Sequence, residues 1–221
     1  MSVTSLLQSA QYRFGTGPDN LRFLDDFYAS LNGAQNEFCI TRSWGFLRTA
    51  STLTTVASTR TVALPSDFGK FYDVPNAVVI TLPAANTGTR IDLMPHEEWQ
   101  SNNYEDGSTS GTPAYSYVLG SSLYLSPIPD TAYTIAILYY KIPANIADSS
   151  TAIAIPTVYE ECLRKMIFRR LQDSGYSSLA ELQVSDADIA NLMNKCARDD
   201  CRKYGSMTFN LSKDTYTRST I

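Results

Sequence analysis

Apolar residues recur at helical spacing in the first part of the chain. The first helical face consists of Val3, Leu6, Leu7, Ala10 and Phe14. Gly15 follows this face and is expected to end the first helix. A second segment starts after the Gly17-Pro18 break, and its apolar positions are Leu21, Leu24, Phe27 and Leu31. We expect Gly33 to end this second helix.

From Ala50 the apolar period changes to two, which is typical of strands. The segments that carry it are TLTTVAST, TVALPSDF, NAVVITLP, TRIDLMP, AYSYVLG, SLYLSP and YTIAILYYKIP. Turn sequences such as DGSTSG and PIPD separate them, so six or seven strands are predicted. The intervening PHEEWQSNNYEDG predicts one or two helical turns and a loop. The last strand is apolar on both faces, which indicates that it is covered on both sides.

After residue 151 the helical period returns. One predicted helix contains VYEECLRKMIFRRLQDSG and ends at Gly175. Ser185 and Asp188 are expected to cap a final helix, whose inward positions are Ile189, Leu192, Met193, Cys196 and Tyr204. Residues 206–221 have no helical pattern, and we expect them to form an extended arm.

This order predicts an α+β fold in which the two helical regions pack against each other. Residues 1–50 and 151–205 are expected to form one antiparallel helical bundle. Residues 51–150 then form an inserted antiparallel β-domain, resembling a sandwich or barrel, and 206–221 form the C-terminal arm.

Charge is spread unevenly along the 221 residues, although the net charge is only −4. Residues 51–150 carry four basic and nine acidic side chains, whereas the helical regions are balanced. A protein that grips DNA presents a basic face. The acidic middle region predicts instead a surface that repels phosphates. No run of eighteen apolar residues is present, so no membrane span is predicted.

Residues with catalytic chemistry are scarce in this sequence. His96 is the single histidine, so HEE at 96–98 cannot complete a zinc-binding HExxH pair. The paired carboxylates are adjacent in sequence, and adjacent side chains diverge on a helix or a strand. We therefore expect no enzyme, no metal and no cofactor, although the sequence leaves open a hydrolase that uses carboxylates alone.

The densest basic cluster lies in the predicted helix that contains VYEECLRKMIFRRLQDSG. It comprises Arg164, Lys165, Arg169 and Arg170. Two interpretations apply to it. It is either a solvated helix face balanced by nearby acids, or an interface with an acidic neighbouring subunit or partner.

Three segments resemble the head-to-tail adaptor, or connector, proteins of tailed phages. TRSWGFLRTASTLTTVASTRTVALPSDFGKFYDV resembles the family's Trp-ended helix, two short strands and LP-x-DF segment. GTPAYSYVLGSSLYLSPIPDTAYTIAILYYKIP resembles a G-x-P-x-x-Y strand, an L-Y-L-x-P-x-P-D turn and an aromatic strand. IPTVYEECLRKMIFRRL is similar to the helix that follows in that family. The resemblance covers roughly residues 35–172.

The resemblance implies a non-enzymatic structural protein of the bacteriophage virion, located at the neck and assembled in the host cytoplasm. Such proteins form a ring oligomer, typically a dodecamer, beneath the portal vertex. The ring completes the head and docks tail or nozzle proteins, and DNA passes through its lumen as transient cargo. We expect the isolated chain to be monomeric until a portal templates the ring.

Two sets of residues are expected to make the contacts of such a ring. Aromatic side chains bury a large area at low entropic cost, so the tyrosines of the 123–140 hairpin suit a subunit interface. The predicted interface residues are Tyr124, Tyr133, Tyr139, Tyr140, Arg169 and Arg170. The predicted portal-binding residues of the arm are Met207, Phe209, Leu211, Tyr216 and Ile221.

A second interpretation places binding in the tyrosine-rich β-domain itself. On this view the chain is a receptor- or carbohydrate-binding tail module. It accounts for the aromatic residues but gives the capped helices little purpose.

Overall fold

The computed structural model describes residues 2–72, 77–81, 88–102, 104, 109–176 and 184–204. These residues form two compact units. The helical unit takes its residues from before Leu47 and after Ala144, and the β unit lies within Leu47–Ala144. Helical parts from the two ends of the chain flank a β region, so the predicted α+β class is confirmed.

Five helices are present in the described part of the chain. They are α1 (Val3–Phe14), α2 (Leu21–Thr41), α3 (His96–Ser101), α4 (Glu160–Asp173) and α5 (Asp186–Tyr204). Two 3₁₀ turns cover Gly45–Leu47 and Thr157–Tyr159. The helix predicted within PHEEWQSNNYEDG is therefore confirmed as α3.

Side-chain caps fix the starts of three helices. Ser2 Oγ accepts a hydrogen bond from the Ser5 amide at the start of α1. Asn20 Oδ1 accepts one from the Phe23 amide at the start of α2. The predicted Ser185–Asp188 cap of α5 is confirmed, because the Asp188 amide donates to Ser185 Oγ at 3.2 Å. Such caps satisfy amides that have no partner inside the helix.

The predicted end of α2 at Gly33 is wrong. The helix continues for another eight residues to Thr41. Gly33 lies instead beneath the side chain of Arg170, and a Cβ at this position would be 2.7 Å from Arg170 Nη1. The glycine therefore lets a guanidinium approach the α2 backbone, at a helix-propensity cost of about 1 kcal/mol relative to alanine.

The predicted inward face of α2 also needs one correction. Leu21 is 74% exposed, whereas Phe23 is fully buried. Phe23 packs edge-on against Tyr176, with ring centroids 5.2 Å apart. Asn20 caps the helix, so Leu21 is the first helical residue. Its side chain lies on the exposed side of the first turn, whereas Phe23 lies on the buried side.

Front and rear helices pack against each other in the helical unit. α2 and α4 run antiparallel, since Asp26 lies beside Tyr176 and Glu37 beside Arg170, while Phe38 lies beside Tyr159. Phe14 of α1 contacts Phe168 of α4 edge to face at 5.8 Å. One aromatic cluster of the unit consists of Phe38, Trp44, Phe46 and Tyr159.

Side chains fix the backbone near both crossings to the β unit. Asn32 pairs with the backbone of Ile146: its Nδ2 donates to the carbonyl at 3.0 Å, and its Oδ1 accepts from the amide at 2.7 Å. The Gly45 amide donates to Oδ2 of buried Asp200 at 2.7 Å. We call these two interactions the junction clamps.

Eleven strands, several of them short, are present in the described part of the β unit. They are β1 (Arg48–Thr54), β2 (Thr61–Ala63), β3 (Phe68–Phe71), β4 (Val78–Thr81), β5 (Gly88–Arg90), β6 (Asp92–Leu93), β7 (Ser110–Gly111), β8 (Tyr115–Leu119), β9 (Ser122–Ser126), β10 (Ile128–Pro129) and β11 (Thr134–Lys141).

The strands form two main sheets around one core. The first has the order β1-β11-β4-β5, with β3 also paired to β11, and the second has the order β2-β9-β8-β6. Pairing is mostly antiparallel, but β6–β8 and β10–β7 are parallel. Residues of both sheets share the core, which includes Leu53, Val62, Val78, Leu123, Leu125, Ile135 and Ile137.

The central strand β11 is covered by this chain on one face only along most of its length. Ile135 and Ile137 are fully buried on the inner face. On the outer face Thr134 and Ala136 are exposed and Leu138 is half-buried. The predicted cover of the second face is therefore not supplied at these positions by the described part of the chain.

Candidate interaction surfaces

Two of the predicted interface tyrosines are held inside the β unit. Tyr133 is 5% exposed, and its Oη donates to Asp130 Oδ1 at 2.5 Å. Tyr139 is 4% exposed and donates to Asp67 Oδ1 at 2.7 Å. These rings are anchors of the unit itself, and little of their surface is open to a neighbour.

The other two predicted tyrosines differ in exposure. Tyr140 is 8% exposed, and its ring packs on Tyr72 at 4.8 Å while Lys70 Nζ lies 5.4 Å from its centroid. Tyr124 is half-buried and packs on Tyr117 at 4.8 Å. Tyr124 therefore presents the most open ring of the four.

Tyr139 is expected to make the stability of the protein fall at alkaline pH. Burial, together with the hydrogen bond to Asp67, raises the pKa of Tyr139 from 10.0 to about 12. The unfolded chain loses this proton near pH 10, whereas the folded chain holds it until about pH 12. The stabilisation is complete below pH 10 and is lost as pH rises towards 12. Tyr139→Phe should make this fall less steep in urea unfolding measured from pH 9 to 12.

Tyr12→Phe is the matched control for that measurement, because Tyr12 is 89% exposed. At neutral pH, Tyr139→Phe should also lower the free energy of unfolding by about 1–2 kcal/mol through loss of the bond to Asp67. Identical slopes for Tyr139→Phe and wild type above pH 10 would contradict the expectation.

The predicted arginines of the rear helix are paired within the chain. Arg170 Nη2 lies 2.8 Å from Glu37 Oε2 of α2. Arg169 lies 3.3 Å from both Asp173 and Asp186, and so joins α4 to the start of α5. Each arginine side chain is about 40% exposed, so such pairs contribute at most about 1 kcal/mol each. Both sequence interpretations stay compatible with this geometry, because the guanidinium groups are balanced by acids and still reach the surface.

These ion pairs line a cleft of about 660 Å³ between α2, α4 and α5. Buried Met166 and Met193 belong to its lining. Arg42 closes one side by donating to Asn194 Oδ1 at 2.9 Å. Three basic and three acidic side chains line the cleft, so it has no net charge.

Six aromatic side chains form a continuous cluster beside α3, which we call the aromatic surface. They are His96, Trp99, Tyr104, Tyr115, Tyr117 and Tyr124. Neighbouring rings lie 4.5–5.3 Å apart. Trp99 and Tyr117 are buried at its base, whereas Tyr104, Tyr115 and Tyr124 are half-buried and His96 is exposed.

Tyr104 and Tyr115 form the stacked ring pair of the aromatic surface. Their rings stack at 4.8 Å with an interplanar angle of 28°. Burial raises the pKa of Tyr104, and a hydrogen bond to Tyr115 and the charge of Glu98 act in the same direction. The Glu98 carboxylate therefore lies within electrostatic reach of this ring pair.

Several large apolar side chains are exposed in the described part of the chain. In the helical unit they are Tyr12, Leu21, Ile40 and Val158, each at least 67% exposed. In the β unit they are Val56, Leu93, Leu119 and Ile142. A signal for Tyr12 and Ile40 does exist, since both fall off the inward face of their helices.

Potential metal ligands are not clustered in the described part of the chain. His96 stacks on Tyr117 beside exposed Glu97 and Glu98. Among residues 2–72, 77–81, 88–102, 104, 109–176 and 184–204, no three His, Cys, Asp or Glu side chains are grouped to hold a metal ion. Cys39, Cys162 and Cys196 are buried free thiols. No helix in the described part of the chain has the length and apolarity needed to cross a bilayer.

The predicted portal-binding residues of the arm lie outside the described residues. They are Met207, Phe209, Leu211, Tyr216 and Ile221, and the last described residue is Tyr204. Tyr204 packs closely against Gly45 at the end of α5. A Cβ at position 45 would lie 2.5 Å from the Tyr204 side chain.

Comparison with protein families gives one match that covers nearly the whole chain. The family model described as SU10 adaptor protein matches residues 1–206. No curated protein matches the sequence.

Proposed function

We propose that this chain, which belongs to the SU10 adaptor protein family of phages, is a head-to-tail adaptor that closes into a ring under the portal. The ring has twelve copies, completes the head and docks tail or nozzle proteins. DNA passes through its lumen. The observation that carries the proposal is the family match over residues 1–206.

The surface of the helical unit supports a contact between neighbouring copies. Leu21 and Ile40 are 74% and 82% exposed, and covering such side chains releases apolar area from water. Each closing contact in a ring is heterologous, so one patch of the chain meets a different patch of its neighbour. Tyr124, Arg169 and Arg170 have surface left for that contact. Tyr133, Tyr139 and Tyr140 are buried in the β unit and leave little surface for it.

The charge of residues 51–150 supports passage of DNA without retention. Residues 51–150 carry nine acidic and four basic side chains. Phosphates are held at protein surfaces chiefly by Lys and Arg. An acidic surface does not bind the phosphates of the genome, so the DNA stays free to move.

Ring formation on the portal is the experiment that tests this proposal. The purified 24.5 kDa chain is expected to be monomeric in size-exclusion chromatography with light scattering and to form a ring of twelve when mixed with the portal of its phage. Cryo-electron microscopy of the mixture then shows the chain beneath the portal. A complex lacking this chain at the portal vertex would contradict the function. Stable rings without portal would contradict only the templating step.

A further inference from the structure

We propose that the aromatic surface of the β unit is a docking site for a cationic segment of a partner protein. An Arg or Lys side chain of that segment lies over the Tyr104–Tyr115 ring pair beside the Glu98 carboxylate, and a second cationic side chain meets Glu97. This contact goes beyond the ring function, because it requires neither ring closure nor the portal.

The rings are built as a fixed platform. Trp99 is fully buried beneath the surface and lies 4.5 Å from Tyr117 and 5.3 Å from Tyr104. The stacked Tyr104–Tyr115 pair rests on this base and is half-buried. A preorganised ring costs little entropy when a ligand covers it, and aromatic faces attract cations.

The charge next to the platform is uncompensated. Glu97 and Glu98 occupy the first turn of α3 and are exposed. Among the described residues, no basic nitrogen lies within salt-bridge distance of either carboxylate. Asp92 provides the contrast, since its Oδ1 is paired with Arg90 Nη2 at 2.6 Å.

The chemistry of the occupant follows from these two features. A sugar also stacks on aromatic rings, but it brings no charge to offset two free carboxylates. A phosphate-bearing ligand is repelled by them. A guanidinium or ammonium group satisfies both the rings and the carboxylates, so a cationic peptide segment fits best.

The probe for this site is a hexa-arginine amide, titrated into the purified full-length chain and followed by calorimetry and two-dimensional NMR. Shifts are expected at Tyr104, Tyr115 and α3. Glu97→Gln with Glu98→Gln should weaken binding by about tenfold, through loss of two ion pairs. Tyr104→Leu should weaken peptide binding by about two- to fivefold. Tyr104→Phe keeps the aromatic ring and should bind the peptide as tightly as wild type.

Asp19→Asn with Asp25→Asn is the matched control, because both are exposed acids of the helical unit and their replacement also removes two charges. It should leave binding unchanged, and each variant is checked for an unchanged thermal transition. Equal affinity of wild type and the Glu97/Glu98 variant would overturn the proposal, as would peptide shifts located away from the aromatic surface. Binding of chitotetraose at these rings without peptide binding would overturn it in favour of a carbohydrate site. Failure of ring formation on the portal leaves this result unaffected, so the two proposals are tested separately.

Discussion

Removing residues 206–221 is expected to abolish docking to the portal while the rest of the chain stays folded. The buried residues of α5 in the helical unit are Met193, Cys196, Ala197 and Asp200, which all precede this segment. The arm carries five apolar side chains on a polar background. Burying one such side chain contributes about 1.5–3 kcal/mol, so losing all of them removes most of the affinity of a segment that binds as an extended strand.

The measurement compares the chain ending at Gly205 with the full-length chain. Binding to immobilised portal should fall below detection, whereas the thermal transition should stay within a few degrees. A full-length variant with Ser212→Ala, Thr215→Ala and Thr217→Ala is the control, because it alters polar arm residues and keeps the apolar ones. Unchanged attachment of the truncated chain would refute the portal-binding role of the arm.

Trp44→Ala is expected to lower the free energy of unfolding of the helical unit by about 3–5 kcal/mol. Trp44 is 1% exposed, stacks on Phe38 at 4.5 Å and donates from Nε1 to the Phe38 carbonyl at 2.6 Å. Truncation therefore leaves a large cavity and an unsatisfied carbonyl. Total stabilities of about 5–15 kcal/mol are usual, so this loss is a large fraction.

The chain's two tryptophans make this experiment selective. Trp44 belongs to the helical unit and Trp99 to the β unit, so in Trp44→Ala the remaining fluorescence reports the β unit alone. Circular dichroism at 222 nm, which follows the helices, should show a transition at lower urea than wild type. Trp44→Phe is the control, since it keeps an aromatic ring and should lose less stability. A helical transition unchanged in Trp44→Ala would contradict the assigned packing.

The helices were predictable because their information is local. The apolar face of α1 and the Ser185–Asp188 cap of α5 depend on residues a few positions apart, and the structure confirms both. Gly33 misled the prediction because its partner, Arg170, is far away in sequence. A glycine that permits close approach looks the same in the sequence as one that ends a helix.

Strand positions were also local, but their pairing was not. β1 pairs with β11 from Arg48↔Tyr140 to Thr54↔Thr134, across most of the inserted segment. The parallel β6–β8 pair was not predicted, because β6 has only two residues. Register depends on which long-range contacts close the core, and a single sequence does not contain that information in its periodicity.

The candidate surfaces were only partly predictable, because they too combine residues that lie far apart in the sequence. The Arg169–Arg170 cluster is visible as adjacent letters, but its acids come from α2 and α5. The tyrosines of residues 123–140 were recognised as unusual, but the hairpin predicted for this segment is wrong, because β9 and β11 belong to different sheets. Tyr133 and Tyr139 are anchored inward by Asp130 and Asp67. The aromatic surface joins Trp99 and Tyr104 to Tyr115, Tyr117 and Tyr124, and only folding brings these segments together.

The junction clamps have a mechanical consequence. Asp200 lies in the last turns of α5 and accepts a hydrogen bond from the Gly45 amide. The end of α5 and the segment that leads into the β unit are therefore held by the same hydrogen bond. Asn32 fixes the return path at Ile146 on the long helix α2. Tension applied beyond Tyr204 is therefore borne first by the helices and their hydrogen bonds.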